Sequence, residues 1–299
     1  MRRWSLTCLP LAIAGLALAL PGAASAKSAS PRYYVALGDS LSQGMQPDLH
    51  GVTRNTTQGY ADDLFARERV GIPSLQLVKL GCGGESTTSM LTGHGNQANA
   101  RKLHCRRAGG SQLTAAVRFL RAHHHRGEVP LVTIDIGAND IDPCISAANL
   151  GTCVAKGLLT IKLNTIKILQ ALRRAAPAGT RFAGMTLYDP VLGAYFSPAG
   201  SSAHALALAS PAILKNVNDE LTGADVGAGF RTADVAGAFA SYSTLPTAWE
   251  GQTIPLNVAR VCSWTWACQT PPSGPNIHAN KNGYQVIANA FAKVVGRLG

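Results

Sequence analysis

Short apolar runs alternate along the chain with segments that carry apolar residues at three- and four-residue spacing. The apolar runs predict strands over residues 33–37, 75–80, 131–136, 182–187 and 230–235. The other segments predict helices over residues 59–69, 112–123, 154–175, 212–221 and 281–295. Because the strand runs are continuously apolar, we expect parallel strands covered on both faces. The pattern predicts an α/β fold, a three-layer α/β/α sandwich around a mostly five-stranded parallel sheet.

Residues 241–280 depart from this alternation. They hold several prolines, two cysteines and three of the four tryptophans, Trp249, Trp264 and Trp266. This composition predicts a long loop stapled by a disulfide, of the kind that often lines a functional site.

The first 26 residues have the features of an export signal. Arg2 and Arg3 precede a mostly apolar run over residues 9–20, and Ala24-Ser25-Ala26 is a cleavage site of small residues. A membrane helix is the weaker alternative, because the run is shorter than the roughly 20 residues that span a bilayer. We predict a signal peptide over residues 1–26, a single mature domain over residues 27–299 and a secreted protein.

Basic residues outnumber acidic ones, and the net charge of the whole chain is +11. Loss of Arg2 and Arg3 with the signal leaves +9. The basic residues accompany no nucleic-acid-binding motif, so we expect the charge to serve solubility and no nucleic acid to bind.

Six cysteines remain once Cys8 is lost with the signal: Cys82, Cys105, Cys144, Cys153, Cys262 and Cys268. An even number in an exported protein favours disulfides. Pairing of nearest neighbours would close three separate loops and is the pairing we favour. Zinc is the alternative, but no two of these cysteines have the C-x-x-C spacing, so we predict neither metal nor cofactor.

Most of the candidate catalytic residues lie directly after predicted strands. Ser40 lies just after the first predicted strand, where ligands bind in open parallel sheets, although a lone serine in a turn is more often a turn former. The glycines of residues 81–84 follow the second strand and would let a backbone N–H approach a developing oxyanion. Asn139 follows the third strand and could donate to the same oxygen. His278 precedes the last helix, where an imidazole could turn toward Ser40.

Four segments containing these residues resemble the conserved blocks of the GDSL/SGNH hydrolases, in the order of that family: YVALGDSLSQG (34–44), GCGGES (81–86), IGAND (136–140) and IHANKNGY (277–284). The resemblance implies Ser40 as nucleophile, His278 as general base, and an oxyanion hole formed by the Ser40 N–H, the Gly84 N–H and the Asn139 amide. It also implies a flavodoxin-like sheet, and three disulfides are similar to those of the secreted actinobacterial lipases and esterases of the family. The α/β-hydrolase alternative lacks its G-x-S-x-G motif.

The chain departs from the family at the acidic member of the triad. The aspartate usually found three residues before the histidine is Pro275, and no Asp or Glu follows Glu250. Some family members resemble this arrangement in using a backbone carbonyl at that position. We therefore predict a Ser40–His278 dyad oriented by the Pro275 carbonyl or, as the alternative, by the Asn276 side-chain oxygen.

These residues predict a secreted lipase or esterase that cleaves carboxylic, fatty-acyl esters without a cofactor. Two alternatives stay open: a polysaccharide O-deacetylase and a non-catalytic protein that binds a surface ligand. We expect a monomer that acts on a small-molecule or lipid ester, with transient contact to a lipid surface.

Overall fold

A computed structural model describes residues 30–105 and 110–298, together with Met1 and Trp4. Apart from those two residues, the predicted export signal lies outside the described part of the chain. Within that part, no helix is both long enough and apolar enough to cross a membrane.

Strands and helices alternate through the described chain. The strands are β1 (Arg32–Gly38), β2 (Gln46–Pro47), β3 (Thr53–Arg54), β4 (Leu75–Lys79), β5 (Leu131–Asp135), β6 (Arg181–Met185), β7 (Arg231–Ala233), β8 (Pro246–Trp249), β9 (Gln252–Pro255), β10 (Thr265–Trp266) and β11 (Asn276–Ala279). The α-helices are α1 (Tyr60–Arg69), α2 (Thr87–Thr92), α3 (Gln97–Lys102), α4 (Gln112–Ala122), α5 (Ala138–Ile141), α6 (Leu150–Ala175), α7 (Ser202–Ala228), α8 (Val235–Ala238), α9 (Leu256–Trp264) and α10 (Lys281–Val295). Two 3-10 helices cover Asp142–Ser146 and Pro190–Phe196.

Five strands form one parallel sheet in the order β4-β1-β5-β6-β7. All five correspond to the predicted apolar runs, and the predicted three-layer α/β/α fold is confirmed. β1 lies between β4 and β5, so the loops that follow these three strands come together at one edge of the sheet. That edge carries the chemistry described below.

Both faces of the sheet are covered, which explains the continuously apolar strands. In β1, Tyr34 and Ala36 belong to the core that also contains residues of α1 and α10, whereas Val35 and Leu37 belong to the core with residues of α4 and α6. Alternate residues of a strand point to opposite faces, so one strand contributes to both cores.

α7 is longer than the prediction over residues 212–221. It runs from Ser202 to Ala228 and continues through Pro211, which the sequence pattern treats as a boundary. Proline cannot donate the backbone hydrogen bond that residue 211 would make to the Ala207 carbonyl. The Ser210 hydroxyl donates to that carbonyl at 3.1 Å, so the carbonyl keeps a partner inside the helix.

The prediction of a long loop over residues 241–280 was wrong. The segment contains the antiparallel hairpin β8–β9, helix α9 and the short pair β10–β11. A disulfide between Cys262 of α9 and Cys268 closes the turn after the helix. Cys82 is bonded to Cys105 and Cys144 to Cys153, so the six cysteines form the three nearest-neighbour pairs.

The last helix ends near the beginning of two sheet strands. Arg181, the first residue of β6, donates from Nη1 to the Val295 carbonyl at 2.7 Å. Arg231, the first residue of β7, donates to the Val294 carbonyl. The C-terminal end of α10 therefore lies at the amino edge of the sheet, as does the beginning of β1 at Arg32.

Candidate active site

Ser40 lies in the tight turn that follows β1. Gly38 starts this turn with a φ of +129°, and a Cβ atom at Gly38 would lie 2.0 Å from the Asp135 carbonyl oxygen, so only glycine fits there. The Asp39 side chain then accepts a hydrogen bond from the Leu41 N–H at 2.9 Å, which stabilises the turn. As a result, the Ser40 side chain is half-buried at the carboxyl edge of the sheet.

Ser40, Asn139 and His278 line the same cavity, which has a volume of about 110 Å³. They come from the turn after β1, from α5 and from β11. Most of the remaining wall is aliphatic and is supplied by α6, α7 and the 3-10 helix Pro190–Phe196, with Leu150, Val154, Val191, Leu206, Ile213, Leu214 and Val217. The structure thus brings the predicted nucleophile and the predicted base to one apolar cavity.

The hydrogen bonds of His278 define its tautomer. Its backbone N–H donates to Asn276 Oδ1 at 3.1 Å, and its Nδ1 lies 2.6 Å from the same atom. Because a backbone N–H can only donate, the shared atom is the amide oxygen, and Nδ1 must carry a hydrogen. Nε2 is then unprotonated and can accept a proton.

The Asn276 side chain is itself held in place. Its Nδ2 donates to Thr53 Oγ1 at 2.9 Å, which keeps Oδ1 directed at His278. The partner of His278 Nδ1 is therefore the side chain of Asn276, which was the alternative prediction from the sequence. The favoured prediction, the Pro275 carbonyl, was wrong. The choice depends on a side-chain rotation that the order of the residues does not determine.

His278 is neutral across a wide pH range. Burial lowers the pKa of its imidazole to about 4, because the surrounding protein disfavours the charged form. The strand that carries it is fixed by the pairing with β10 and by Tyr188, whose hydroxyl donates to the Ile277 carbonyl at 2.7 Å.

Asn139 lies beside the turn that contains Gly84. Its Nδ2 donates to the Glu85 carbonyl at 3.0 Å and to Asp39 Oδ2 at 3.2 Å. Gly84 has a φ of +75° within that turn, closed by the hydrogen bond from the Glu85 N–H to the Cys82 carbonyl. Gly84 is thus next to the residue that Asn139 contacts, but it does not line the cavity.

A second carboxyl group lies directly beneath the Ser40 turn. Asp135, the last residue of β5, is fully buried and accepts the Asp39 N–H through Oδ2 at 3.1 Å. Its Oδ1 lies 2.5 Å from the Tyr60 hydroxyl of α1. Burial and the neighbouring Asp39 carboxyl raise the pKa of Asp135 well above its usual range.

Asp142 lines the same cavity as Ser40. Neither Asp135 nor Asp142 carries a motif that marks it as part of the site. The one signal in the sequence concerns Asp135, an aspartate at the end of an otherwise apolar strand, where a carboxyl group has to be protonated or paired. Among the described residues, no group of three or more His, Cys, Asp or Glu side chains is arranged to hold a metal ion.

Comparison with known proteins gives one family and a set of similar folds. Residues 36–286 match the GDSL-like lipase/acylhydrolase family. Two solved structures share the fold with a TM-score of 0.51: an extracellular lipase from Streptomyces rimosus (20% identity; 87% of this chain and 99% of the lipase covered) and a GDSL-like lipase from Parabacteroides merdae (13% identity; 90% and 96% covered).

An acetylxylan esterase from Geobacillus stearothermophilus has 12% identity and a TM-score of 0.47, with 89% of this chain and 95% of the esterase covered. No curated protein matched the sequence. Since the family match spans most of the chain, including the segments with Ser40, Asn139 and His278, the chain belongs to the GDSL-like lipase/acylhydrolase family and is a carboxylic ester hydrolase.

Proposed function

We propose that the chain is a secreted serine esterase that cleaves fatty-acyl esters through an acyl-enzyme on Ser40. The observation that carries the proposal is the shared cavity: Ser40 lines it together with His278, whose unprotonated Nε2 is available as a base. The geometry of the Asn276 contact and the low pKa of His278 both favour the neutral tautomer that such a base requires.

In the proposed reaction, Ser40 Oγ attacks the ester carbonyl carbon while His278 Nε2 accepts the hydroxyl proton. The oxygen of the tetrahedral intermediate is stabilised by the Asn139 amide and by the N–H of Ser40, which both belong to residues that line the cavity. To donate to this oxygen, Asn139 would exchange its longer bond to Asp39. The imidazolium then protonates the departing alcohol.

Water completes the reaction by attacking the acyl-enzyme, with His278 again accepting the proton. Asn276 Oδ1 accepts the hydrogen bond from Nδ1–H throughout and so keeps the imidazole in one orientation. The aspartate of a serine triad orients its histidine in the same way. A neutral amide stabilises the imidazolium less than a carboxylate would, so each chemical step proceeds with weaker electrostatic support.

The aliphatic wall of the cavity supports an acyl chain as its occupant. Burial of each methylene group contributes about 0.8 kcal/mol, so a wall built from leucine, isoleucine and valine favours longer acyl groups over acetate. Three disulfides support secretion, because disulfides persist in oxidising compartments.

The test is hydrolysis of nitrophenyl esters with acyl chains of two to about sixteen carbons by the chain over residues 27–299. We expect kcat/KM to rise from acetate to longer chains, since each added methylene is worth up to about 0.8 kcal/mol. Ser40→Ala should lower kcat by roughly 10³ or more. Equal hydrolysis by wild type and Ser40→Ala would contradict the assignment of the nucleophile.

A polysaccharide O-deacetylase is the second candidate, because an aromatic pair lies along a neighbouring groove. Phe196 is 44% exposed, its ring centroid is 5.6 Å from that of Trp249, and both residues line the groove. Exposed aromatic rings can stack on sugars. Activity confined to acetyl groups on polysaccharides would favour this candidate, whereas absence of hydrolysis by a folded protein would favour a binding protein.

A further inference from the structure

The active-site cavity adjoins a second cleft, and Asp142 lies where the two meet. Asp142 lines the cavity that contains Ser40 and also the cleft that is lined by Pro275 and Asn276. If the acyl chain of an ester occupies the aliphatic cavity, the alcohol part leaves toward this cleft. Asp142 is therefore placed next to the alcohol part of the substrate.

The Asp142 carboxyl group has no partner in the described chain. It is the first residue of the 3-10 helix Asp142–Ser146, is half-buried, and makes no side-chain hydrogen bond or ion pair with any described residue. Burial, Asp39 and Asp140 together raise the pKa of this carboxyl to about 7. A group that titrates in this range is uncharged in mild acid and charged in mild base.

The other titratable groups around Asp142 do not neutralise it. Asp39 accepts hydrogen bonds from Leu41 and Asn139, and Asp140 accepts two from Thr87. Asp189 accepts the Val191 N–H, and burial raises its pKa to about 6. His278 is neutral above about pH 4.

Within the described chain, no cation balances these carboxyl groups. Among the described residues that line the cavity and the cleft, none is lysine or arginine, and the parts of α6 and α7 that face the cavity are uncharged. Asp142 is therefore the one charged side chain among the described residues that line the cleft into which the alcohol part of an ester would leave.

We infer that Asp142 makes the site selective by charge: it favours esters with a neutral or cationic alcohol part and disfavours those with an anionic one. This inference rests on the proposed function and adds a substrate class to it. An ionised Asp142 repels a negative charge held a few ångströms away in the partly desolvated cleft and attracts a positive one.

The test uses three butyrate esters of similar shape whose alcohol parts are meta-hydroxybenzoate, its methyl ester and meta-hydroxyphenyl-trimethylammonium. Their kcat/KM values are measured by titration of the released acid at about pH 5.5 and about pH 8.5, below and above the pKa of Asp142. In the wild type, the ratio of kcat/KM for the cationic ester to that for the anionic ester should be higher at the upper pH.

Asp142→Asn should lower this ratio by roughly tenfold at the upper pH, the effect of one charge at a few ångströms in a medium of intermediate dielectric constant. At the lower pH, wild type and Asp142→Asn should have the same ratio, because Asp142 is then protonated. Asp189 titrates in both proteins, so comparing them removes its contribution. Each ratio compares two esters with the same preparation of one protein, so a loss of folded enzyme lowers both kcat/KM values equally and leaves the ratio unchanged.

Two further variants serve as controls. Asp142→Glu keeps the charge and should keep the high ratio. Asp219→Asn removes a charge of the same sign from an exposed pair with Lys215 on α7 and should leave the ratio unchanged.

An unchanged ratio in Asp142→Asn at the upper pH would overturn the charge selection, while the proposed function would stand if the neutral ester is cleaved and Ser40→Ala abolishes the cleavage. Cleavage of none of the three esters by the folded wild type would overturn both.

Discussion

At the scale of single residues, the side-chain oxygen of Asn276 accepts the hydrogen bond from His278 Nδ1 that an aspartate accepts in a serine triad, but it carries no charge. The sequence shows that an acid is missing near His278 and leaves two candidates, the Pro275 carbonyl and the Asn276 side chain. Which of the two contacts Nδ1 depends on the side-chain torsion of Asn276. The Thr53 hydroxyl fixes this torsion, because it accepts a hydrogen bond from Asn276 Nδ2. No pattern within residues 275–278 carries information about Thr53, which is distant in the chain.

Asn276→Asp should move the acid limb of the activity profile to higher pH. In the wild type, kcat/KM should fall only as the pH drops through about 4, where His278 becomes protonated and can no longer act as a base. A carboxylate beside Nδ1 stabilises the imidazolium and should raise the pKa of His278 by roughly one to three units. The measurement is kcat/KM for a neutral ester across the pH range.

Asn276→Ala is the matched control for that shift. It removes the orienting oxygen without adding charge, so kcat should fall by up to roughly 10² while the acid limb stays near that of the wild type. An acid limb that is the same in Asn276→Asp and the wild type would show that Asn276 does not face the catalytic imidazole in solution.

At the scale of elements, α7 shows how a helix can continue through a proline, a residue that usually marks a helix boundary in the sequence. Pro211 removes one backbone hydrogen bond and leaves the Ala207 carbonyl without its usual donor. The hydroxyl of the preceding residue, Ser210, fills that position, and the apolar face of the helix continues toward the cavity. The pattern of apolar residues alone does not reveal such a local replacement.

Ser210→Ala should destabilise the protein by about 1–3 kcal/mol, because the Ala207 carbonyl is then buried without a partner. The measurement is the free energy of unfolding in urea. The double variant Ser210→Ala/Pro211→Ala restores a backbone N–H at residue 211 and should recover part of the loss. If the double variant is as unstable as the single one, the Ser210 hydroxyl does not compensate for Pro211.

The prediction of a loop over residues 241–280 was wrong for another reason. Its strands have only two to four residues, too few for an alternation of apolar and polar positions to be visible. What orders the segment is contact with distant parts of the chain, such as the bond from Tyr188 to Ile277. The composition indicated that the segment lies near the site, but it did not indicate its secondary structure.

At the scale of the whole molecule, Asp135 ties the Ser40 turn to two layers of the fold. It is part of β5, receives the N–H of Asp39 after β1, and contacts the Tyr60 hydroxyl of α1. Because its pKa is raised well above the usual range, the folded protein keeps a proton there that the unfolded chain releases above about pH 4. The stability of the fold should therefore decrease as the pH rises from about 4 toward the pKa of the folded state.

Asp135→Asn should remove this contribution, since an amide has no proton to lose. Relative to wild type, the variant should become more stable as the pH rises above about 4 toward the folded-state pKa of Asp135, with a limit of about 1.4 kcal/mol per pH unit. Urea unfolding at several pH values measures the difference, and Asp219→Asn, on an exposed surface, should show no such trend. A stability difference independent of pH would mean that Asp135 is ionised in the folded state.

The sheet and the place of the site follow from the sequence because they depend on long apolar runs and on what comes directly after them. All five predicted strands form the parallel sheet, and Ser40, Asn139 and His278 reach one cavity. Asp135 and Asp142 were not anticipated, because their states depend on burial and on neighbouring carboxyl groups from other elements. Such information exists only once the chain is folded.

The position of the two ends of the domain has a practical consequence. β1 begins and α10 ends at the amino edge of the sheet, where Arg181 and Arg231 bind the last turn of that helix. The turn that contains Ser40 lies at the other edge. A bead, a carrier protein or a cell surface joined at either end of the domain would leave the mouth of the cavity facing the solution, so the enzyme can be immobilised without a designed spacer.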